Sequence, residues 1–317
     1  MENSGWDVVV VGGGVAGLSA ALMLGRARRR TLVVDEGRPR NRFAAHMHGV
    51  LGHDGISPAE LVRRGRQEVA AYGVEVREGR VDRLERTGRG VRALLADGGR
   101  VAARAAVVAT GITDDLPDVP GLAERWGDTV LHCPYCHGWE VRGQRLGVLT
   151  TSPQGLHQVE LVRQWSEDVV VLSAGLGDLD GPTERRLRAR GIRIEPAPVT
   201  EVTEAAEPTA GGGGLVMRTA GGGRVEVDAL FTAGAPRTHD DLLAGLDLDR
   251  TSTPDGSFLS VDPAGRTSDD RVWVAGNLVD PAANVATALS AGALAGGAVN
   301  AALVEDEFAD AVAGAEG

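Results

Sequence analysis

The sequence predicts an α/β protein made of two βαβ-built domains, the second inserted into the first, and three stretches carry that prediction. "DVVVVGGGVAGLSAALMLGRARRRTLVVDEG" (Asp7–Gly37) runs strand, glycine turn, helix, strand. The same order recurs mid-chain between Arg145 and Gly175. "DDRVWVAGNLVDPAANVATALSAGALAGGAVNAALV" (Asp269–Val304) then supplies a strand, a Gly-Asn step and a small-residue helix. Strand–helix–strand repeats of this kind build parallel sheets. The expected organisation is two Rossmann-like dinucleotide-binding domains: residues 1–113 open the first, 114–240 form the insert, and 241–317 close the first.

In the opening unit, Asp7–Val11 is an apolar strand and Leu18–Leu24 continues as a helix. Between them, Gly12-Gly13-Gly14-Val15-Ala16-Gly17 fits G-x-G-x-x-G. Gly12 permits the tight turn, Gly14 lets a pyrophosphate approach the backbone, and Gly17 allows close helix–strand packing. The helix N-terminus offers amide donors and a positive dipole to phosphates. The second strand, Thr31–Val34, ends at Asp35, placed about 20 residues on to take ribose hydroxyls.

Glycines alone do not separate FAD from NAD. "AAVVATGIT" (Ala105–Thr113) looks like the strand-end of two-dinucleotide flavoproteins, with Ala109, Thr110 and Gly111 at its turn. Asp269–Val304 resembles their C-terminal flavin motif. Its strand ends at Gly276-Asn277, and its helix starts near Asn284, Val285 and Ala286. In such proteins that helix N-terminus faces the flavin pyrimidine ring, where its dipole stabilises negative charge. Asn277 stands where Asp is usual and is expected still to hydrogen-bond a ribitol or phosphate. FAD is the expected cofactor.

The middle βαβ keeps its scaffold and loses its site. Arg145–Thr151 reads as a strand, Gly155–Trp165 as a helix and Asp168–Gly175 as the next strand. The turn is "TTSPQG", where Thr151, Ser152 and Pro153 crowd the backbone and Pro153 removes an amide donor. Ser173-Ala174-Gly175 ends the strand without the acid expected for NAD or a basic cluster for NADP. "ERRLRAR" (Glu184–Arg190) reads as a solvated helix face, and Thr209–Arg224 as a hairpin with long glycine loops.

Composition narrows the chemistry further. The 317 residues, 43% hydrophobic, suffice for two packed domains. No charge-free run of about 20 bulky apolar residues predicts a transmembrane helix. The N-terminal stretch lacks a basic n-region, so no signal peptide and a cytoplasmic location are expected. A net charge of −11 argues against nucleic acid or an anionic membrane as partner. All 33 basic residues are arginine, which excludes Schiff-base, pyridoxal-phosphate and Walker-lysine chemistry. The 45 glycines reach about twice the usual share of ~7%.

The only two cysteines lie in "HCPYCHGWE" (His132–Glu140), as Cys133-x-x-Cys136 followed by His137. The spelling fits a redox dithiol, a c-type haem attachment or half a zinc site. Haem attachment belongs with an export signal. Zinc lacks a second cysteine pair, and the adjacent His132, Cys133, Cys136 and His137 side chains rarely converge on one ion, so no metal is expected. Two merely buried thiols are the plain structural alternative. A redox dithiol fits best: Pro134 suits the first turn of a helix, whose amide dipoles lower the Cys133 thiol pKa.

The full order of these motifs resembles low-molecular-weight thioredoxin reductases over nearly the whole chain. In that family an acidic residue follows the second cysteine; here His137 takes its place. With "CPYCHG", the weakened turn and "HGVLGHDG" (His48–Gly55), the closer resemblance is to FAD-dependent dithiol oxidases. These close disulfides in natural products of the gliotoxin, holomycin and romidepsin type, and the holomycin-type bacterial enzymes are the nearest among them. The resemblance implies oxidation of a small-molecule dithiol by the Cys133–Cys136 pair, with O2 as acceptor giving hydrogen peroxide. It makes Cys136 the flavin-side thiol and Cys133 the exchanging one. It also places Glu36, Arg42 and Val81 around the flavin and implies a homodimer. His137 is the expected base, since a histidine pKa near 6.5 suits proton transfer at neutral pH; His132 is the second candidate. The alternative activity is an NAD(P)H-dependent disulfide reductase.

Overall fold

In a computed structural model, which describes residues 5–206, 214–254 and 256–315, the chain divides by its contacts into two units. Unit 1 comprises 1–42, 57–113 and 236–317, and unit 2 comprises 43–56 and 114–235. The first crossing falls after Thr113. The return falls after Ala235 rather than residue 240, and Phe43–Ile56 groups with unit 2 although it lies in the first sequence segment.

Unit 1 opens with β1 (Trp6–Val11), α1 (Val15–Arg26), β2 (Thr31–Asp35) and α2 (Pro58–Ala70). Then come β3 (Glu75–Glu78), β4 (Val81–Thr87), β5 (Gly90–Leu95) and β6 (Arg100–Val108). The chain leaves on β7 (Ile112–Asp115). In unit 2 it forms β8 (Val130–Leu131), α3 (Pro134–His137), β9 (Leu146–Leu149), α4 (Gly155–Val162) and β10 (Val169–Leu172). These are followed by α5 (Gly181–Ala189), β11 (Arg193–Glu195), β12 (Val199–Glu204), β13 (Leu215–Thr219), β14 (Arg224–Val227) and β15 (Ala229–Thr232). It returns on β16 (Ala235–Thr238) to a hairpin, β17 (Arg250–Thr253) and β18 (Gly256–Leu259), then β19 (Val272–Val274) and α6 (Val285–Ala315).

The unit 1 sheet has the order β3-β2-β1-β6-β5-β4. Strands β3, β2, β1 and β6 run parallel, while β4 and β5 form an antiparallel extension. One edge of β6 is shared: its start pairs with β5, and its last three residues pair with β19. The final segment thereby completes the sheet begun by the first. Side-chain alternation along β1 fixes the two cores. Val8 and Val10 pack with Leu18, Leu24, Ala295 and Val299 of α1 and α6, whereas Val9 and Val11 pack with Leu84, Val91 and Leu243 on the other face. Burial on both faces explains the unbroken valine run.

By length and composition α6 could cross a membrane, with a mean hydropathy of 1.5 over its most apolar window. Its buried stripe, Ala288, Gly292, Ala295, Gly296, Val299 and Leu303, lies instead in the unit 1 core. Its last turns are tied down by charge: Asp306 pairs with Arg271, and Glu307 with Arg29 and Arg104.

Unit 2 carries a parallel sheet in the order β11-β10-β9-β15-β8, with an antiparallel β12-β13-β14 sheet beside it. The second βαβ is therefore β9, α4 and β10. α4 ends at Val162, short of Trp165, and β10 ends at Leu172 before a 3-10 turn over Ser173–Leu176. Of the expected glycine hairpin, β13 and β14 turn through Ala220–Gly223, while Thr209–Gly213 lie outside the described residues.

Candidate functional site

Unit 1 gathers the expected cofactor residues around the start of α1. Gly12 has φ +99°, and a Cβ there would sit 2.4 Å from the Ala109 carbonyl oxygen. A Cβ on Gly17 would sit 1.9 Å from the Gly12 carbonyl oxygen, so α1 meets β1 closely only with glycine. Gly14 is the N-cap of α1, and the space beside its Cα is open for 4 Å. Gly12 N–H is held by the Val34 carbonyl and Gly13 N–H by Asp35 Oδ1. Among the described residues, no protein acceptor takes the amides of Gly14, Val15, Ala16 or Gly17. Four adjacent donors at a helix N-terminus, beside open space, form a cradle that fits a pyrophosphate.

Asp35 ends β2 with each carboxylate oxygen holding one donor: Gly13 N–H at 2.9 Å and the Arg66 guanidinium. A carboxylate has about four lone-pair sites, so capacity for ribose hydroxyls remains. Arg66, on α2, was not singled out in the sequence, because its link to Asp35 spans 31 positions. The Ala109-Thr110-Gly111 turn is fastened by His239, whose backbone carbonyl accepts from Thr110 Oγ1 (2.7 Å) and whose N–H donates to the Gly111 carbonyl (3.1 Å). Gly276 abuts Ala16: a Cβ there would lie 2.9 Å from the Ala16 Cβ.

Asn277 is engaged within its own loop. Its Nδ2 faces the carbonyls of Asp280, Pro281 and Ala283 at 3.1, 3.4 and 2.9 Å. Its amide donors therefore brace the loop that leads into α6, and only Oδ1 is left to meet a ligand. An aspartate has no donor to offer those carbonyls, which accounts for the Asn. Asn284 caps α6 by accepting the Thr287 N–H at 3.0 Å, with Val285 and Ala286 in the first turn. Val81 is buried at the start of β4, Glu36 is exposed 3.8 Å from Arg80, and Arg42 ends its segment donating to the Pro39 carbonyl.

The corresponding turn of unit 2 is built otherwise. Gly155, Leu156 and His157, the first residues of α4, donate to the carbonyls of Ser152, Pro153 and Gln154 at 3.0, 3.3 and 3.4 Å. The Thr150 hydroxyl donates to the Leu172 carbonyl and the Thr151 hydroxyl to the Ala233 carbonyl. The helix start is self-satisfied, and Gln154, its N-cap, supplies no side-chain bond.

The cysteine pair lies in unit 2 at the short helix α3, with Cys133 as N-cap and Pro134 in the first turn, as expected. The Cys133 carbonyl accepts the N–H groups of Cys136 and His137, both at 3.1 Å. This brings the two Sγ atoms to 2.6 Å. Gly138 lets Trp165 close over the turn: a Cβ there would sit 2.7 Å from the indole ring. Tyr135, between the cysteines, stands edge-on to Trp165 at 5.6 Å. Tyr135 and Trp139 are 71% and 65% exposed, and the Arg142 guanidinium lies 4.1 Å from the Trp139 ring. His132 lies 6.1 Å from the Trp126 ring, and its carbonyl accepts from Gln158.

His137 sits at the end of α3, its Nδ1 buried with no hydrogen-bond partner among the described residues. Burial pushes its imidazole below the ordinary histidine range. The Cys133 carbonyl and the Glu140 carboxylate oppose that shift, and His48 adds to it. That direction favours the neutral ring, the form that accepts a proton. Among the described residues no group of three or more metal-type ligands comes together.

An open dinucleotide cradle, a self-satisfied second one and a C-x-x-C pair followed directly by a histidine whose Nδ1 is buried define a flavin-type disulfide oxidoreductase. The chain belongs to the pyridine nucleotide-disulphide oxidoreductase family, whose model matches residues 6–293. It is similar to thioredoxin reductase sirT of Leptosphaeria maculans, 32% identical over 93% of each chain, and to thioredoxin reductase tcpT of Claviceps purpurea (strain 20.1), 31% identical over 95% of each. Among solved structures, HlmI is 41% identical with a TM-score of 0.92, covering 100% of this chain and 98% of that one. An oxidoreductase from Agrobacterium tumefaciens is 35% identical with a TM-score of 0.87, covering 94% and 98%. The protein is a thioredoxin-reductase-like flavin enzyme.

Proposed function

We propose that this enzyme holds FAD in unit 1 and oxidises a small-molecule dithiol, closing an intramolecular disulfide in a natural product of the holomycin or gliotoxin type. One observation carries the direction: the first amides of α4 are bound within their own turn, whereas those of α1 are open. A dinucleotide reductant lacks its phosphate cradle in unit 2, so the electrons come from thiols. The whole-chain similarity to HlmI and the CPYCHG motif support the same reading.

Gly14–Gly17, Asp35, Gly111 and the start of α6 would hold the cofactor. When bound, FAD would supply a two-electron acceptor for the reduced cysteine pair, with O2 as the final oxidant and hydrogen peroxide as its product. The chain's own residues do the sulfur chemistry. His137 takes the proton of the first substrate thiol. The resulting thiolate attacks Cys133 Sγ, and the Cys133–Cys136 bond breaks with Cys136 leaving as thiolate. The second substrate thiol then attacks its own partner sulfur in the mixed disulfide, releasing Cys133. Substrate leaves as a cyclic disulfide, two electrons poorer, and both cysteines are reduced. A free thiol with pKa ~8.5 is only a few per cent ionised at pH 7, so a base at this position contributes about 10²–10⁴-fold.

The names of the fungal relatives favour a second reading, reduction of a disulfide by NAD(P)H. Oxygen consumption by the purified flavoprotein with a panel of small dithiols separates the two, together with anaerobic NADH and NADPH titrations. The oxidase reading expects oxygen uptake, loss of turnover in Cys136→Ser, and no rapid flavin reduction by either nucleotide. Rapid stoichiometric reduction by NADPH would sink it. In His137→Ala, turnover should fall most near neutral pH and recover as rising pH ionises the substrate thiol unaided.

A further inference from the structure

We propose that Arg66, on α2, is a positioning residue for the adenosine half of FAD, acting through Asp35; the proposal rests on the reading of unit 1 as the flavin site. Asp35 ends β2 beside the cradle, and its Oδ1 accepts the Gly13 N–H at 2.9 Å, one residue before the open amides. A side chain at Gly13 would block that approach, since a Cβ there would sit 2.8 Å from Asp35 Cβ and Cγ. Arg66 Nη2 donates to the other carboxylate oxygen. The Asp35 side chain is 12% exposed and that of Arg66 41%. With the Gly13 amide alone the carboxylate could still turn about its own bonds. A second donor from a different element fixes its plane.

α2 is seated so that this arginine, and not its neighbours, reaches β2. Val62 and Val69 pack in the cluster that holds Leu18 and Leu24 of α1. Gly65 brings the helices close, as a Cβ there would lie 3.1 Å from Leu18 Cδ1. Residues 62, 65 and 69 follow the helical period and share one face. Arg66 borders that face, its Nε buried without a hydrogen-bond partner among the described residues. The ion pair at its tip holds the stem down despite that unsatisfied donor. Arg63 and Arg64 pair with Glu60 instead. Charge matters as much as geometry. The amides of Gly14–Gly17, directly after Gly13, are where a dianionic pyrophosphate would lie. An uncompensated carboxylate beside them would repel it, and the guanidinium offsets that repulsion. Asp35 keeps lone pairs for the ribose hydroxyls.

Fluorescence titration of the flavin-free protein tests this, with FAD and with an FAD analogue whose adenosine ribose lacks both hydroxyls. Wild type should bind the analogue about tenfold more weakly than FAD. Arg66→Ala should weaken FAD by about 10- to 100-fold and bring the two ligands to within about threefold of each other. A merely structural loosening of α2 would weaken both ligands equally; an unchanged ratio between them therefore overturns the proposal. So does an unchanged FAD affinity in Arg66→Ala, or a wild type that does not distinguish the ligands. Arg66→Lys, which keeps the charge and loses the planar fork, should fall between wild type and Arg66→Ala. Asp35→Ala should resemble Arg66→Ala, and the double variant should be no more than about threefold weaker than Asp35→Ala. Losses that multiply in the double variant would mean that Arg66 acts on the ligand independently of Asp35, and the positioning role falls. If a folded wild type binds no FAD at all, the flavin reading fails and the proposal with it.

Discussion

The turns that open α1 and α4 occupy equivalent places in two βαβ units, and they differ in where their amides go. At α1, Gly14–Gly17 leave four N–H groups without acceptors among the described residues, beside an open face at Gly14. At α4, Gly155–His157 give theirs to Ser152–Gln154, and the threonine hydroxyls close the rest onto Leu172 and Ala233. Both units keep apolar parallel strands and a helix packed on them. The fold is held by burial of strand side chains, which does not depend on the turn. Binding depends on unsatisfied donors, which the turn alone controls. One scaffold can therefore keep its stability after its ligand site has closed.

The strongest test of this contrast is Gly17→Ala. The new Cβ would lie 1.9 Å from the Gly12 carbonyl oxygen, a backbone atom that cannot swing aside. Displacing α1 from β1 should lower stability by about 3 kcal/mol or more and strip the flavin. The 450 nm to 280 nm absorbance ratio and a thermal melt read both effects. A variant that keeps full flavin and an unchanged melt would mean that the cradle does not depend on this close approach. Gly14→Ala sharpens the point. Nothing among the described residues lies within 4 Å of that Cβ, so the melt of the flavin-free form should be unchanged. Flavin affinity should nonetheless weaken by about 1–3 kcal/mol, because the methyl stands where phosphate must approach.

Asn277→Asp probes how the intact half is finished. Three carbonyls would lose their donor and face a carboxylate instead. Stability should fall by about 1–3 kcal/mol, lowering Tm by several degrees, with FAD still bound. An unchanged Tm would show that the loop into α6 is braced by something other than these bonds.

The local patterns were legible in the sequence and the long-range ones were not. Gly12–Gly17, Asp35, the second βαβ and Cys133 at the start of a proline-led helix follow from spacing and periodicity, because each is set by neighbours in the chain. The expected first crossing at Thr113 follows from the motif order. The His48–Glu140 contact joins residues 92 positions apart, and no residue pattern marks it. Arg66 on Asp35 and His239 on Thr110 are hidden for the same reason. The backbone bond of His239 to Gly111 holds it within unit 1, and no local residue pattern marks that tie. Asn277 was read by its residue type, and only the direction of its amide reveals that the donors are engaged.

The smallest expected effect belongs to an attempt to reopen the closed turn. Ser152→Gly with Pro153→Ala removes the two residues that most visibly depart from a glycine turn and restores one amide donor. If side-chain crowding alone closed the site, this variant would gain rapid flavin reduction by NADPH. The geometry predicts no measurable gain. Pro153 contributes its carbonyl to the Leu156 N–H, and alanine keeps that carbonyl; Ser152 and Gln154 likewise still accept from Gly155 and His157. The turn would remain satisfied within itself, and a pyrophosphate would have to break those bonds to claim the amides. Each such bond contributes about 0.5–1.5 kcal/mol net, so three in succession set a sizeable barrier to rebuilding the cradle by point substitution. β10 also ends at Leu172, and Ser173-Ala174-Gly175 follow it where an acid would be expected for a nucleotide ribose. An anaerobic titration of the double variant with NADPH, followed at 450 nm, decides the matter. Fast stoichiometric bleaching would mean that the two side chains, and not the backbone bonds, keep unit 2 shut.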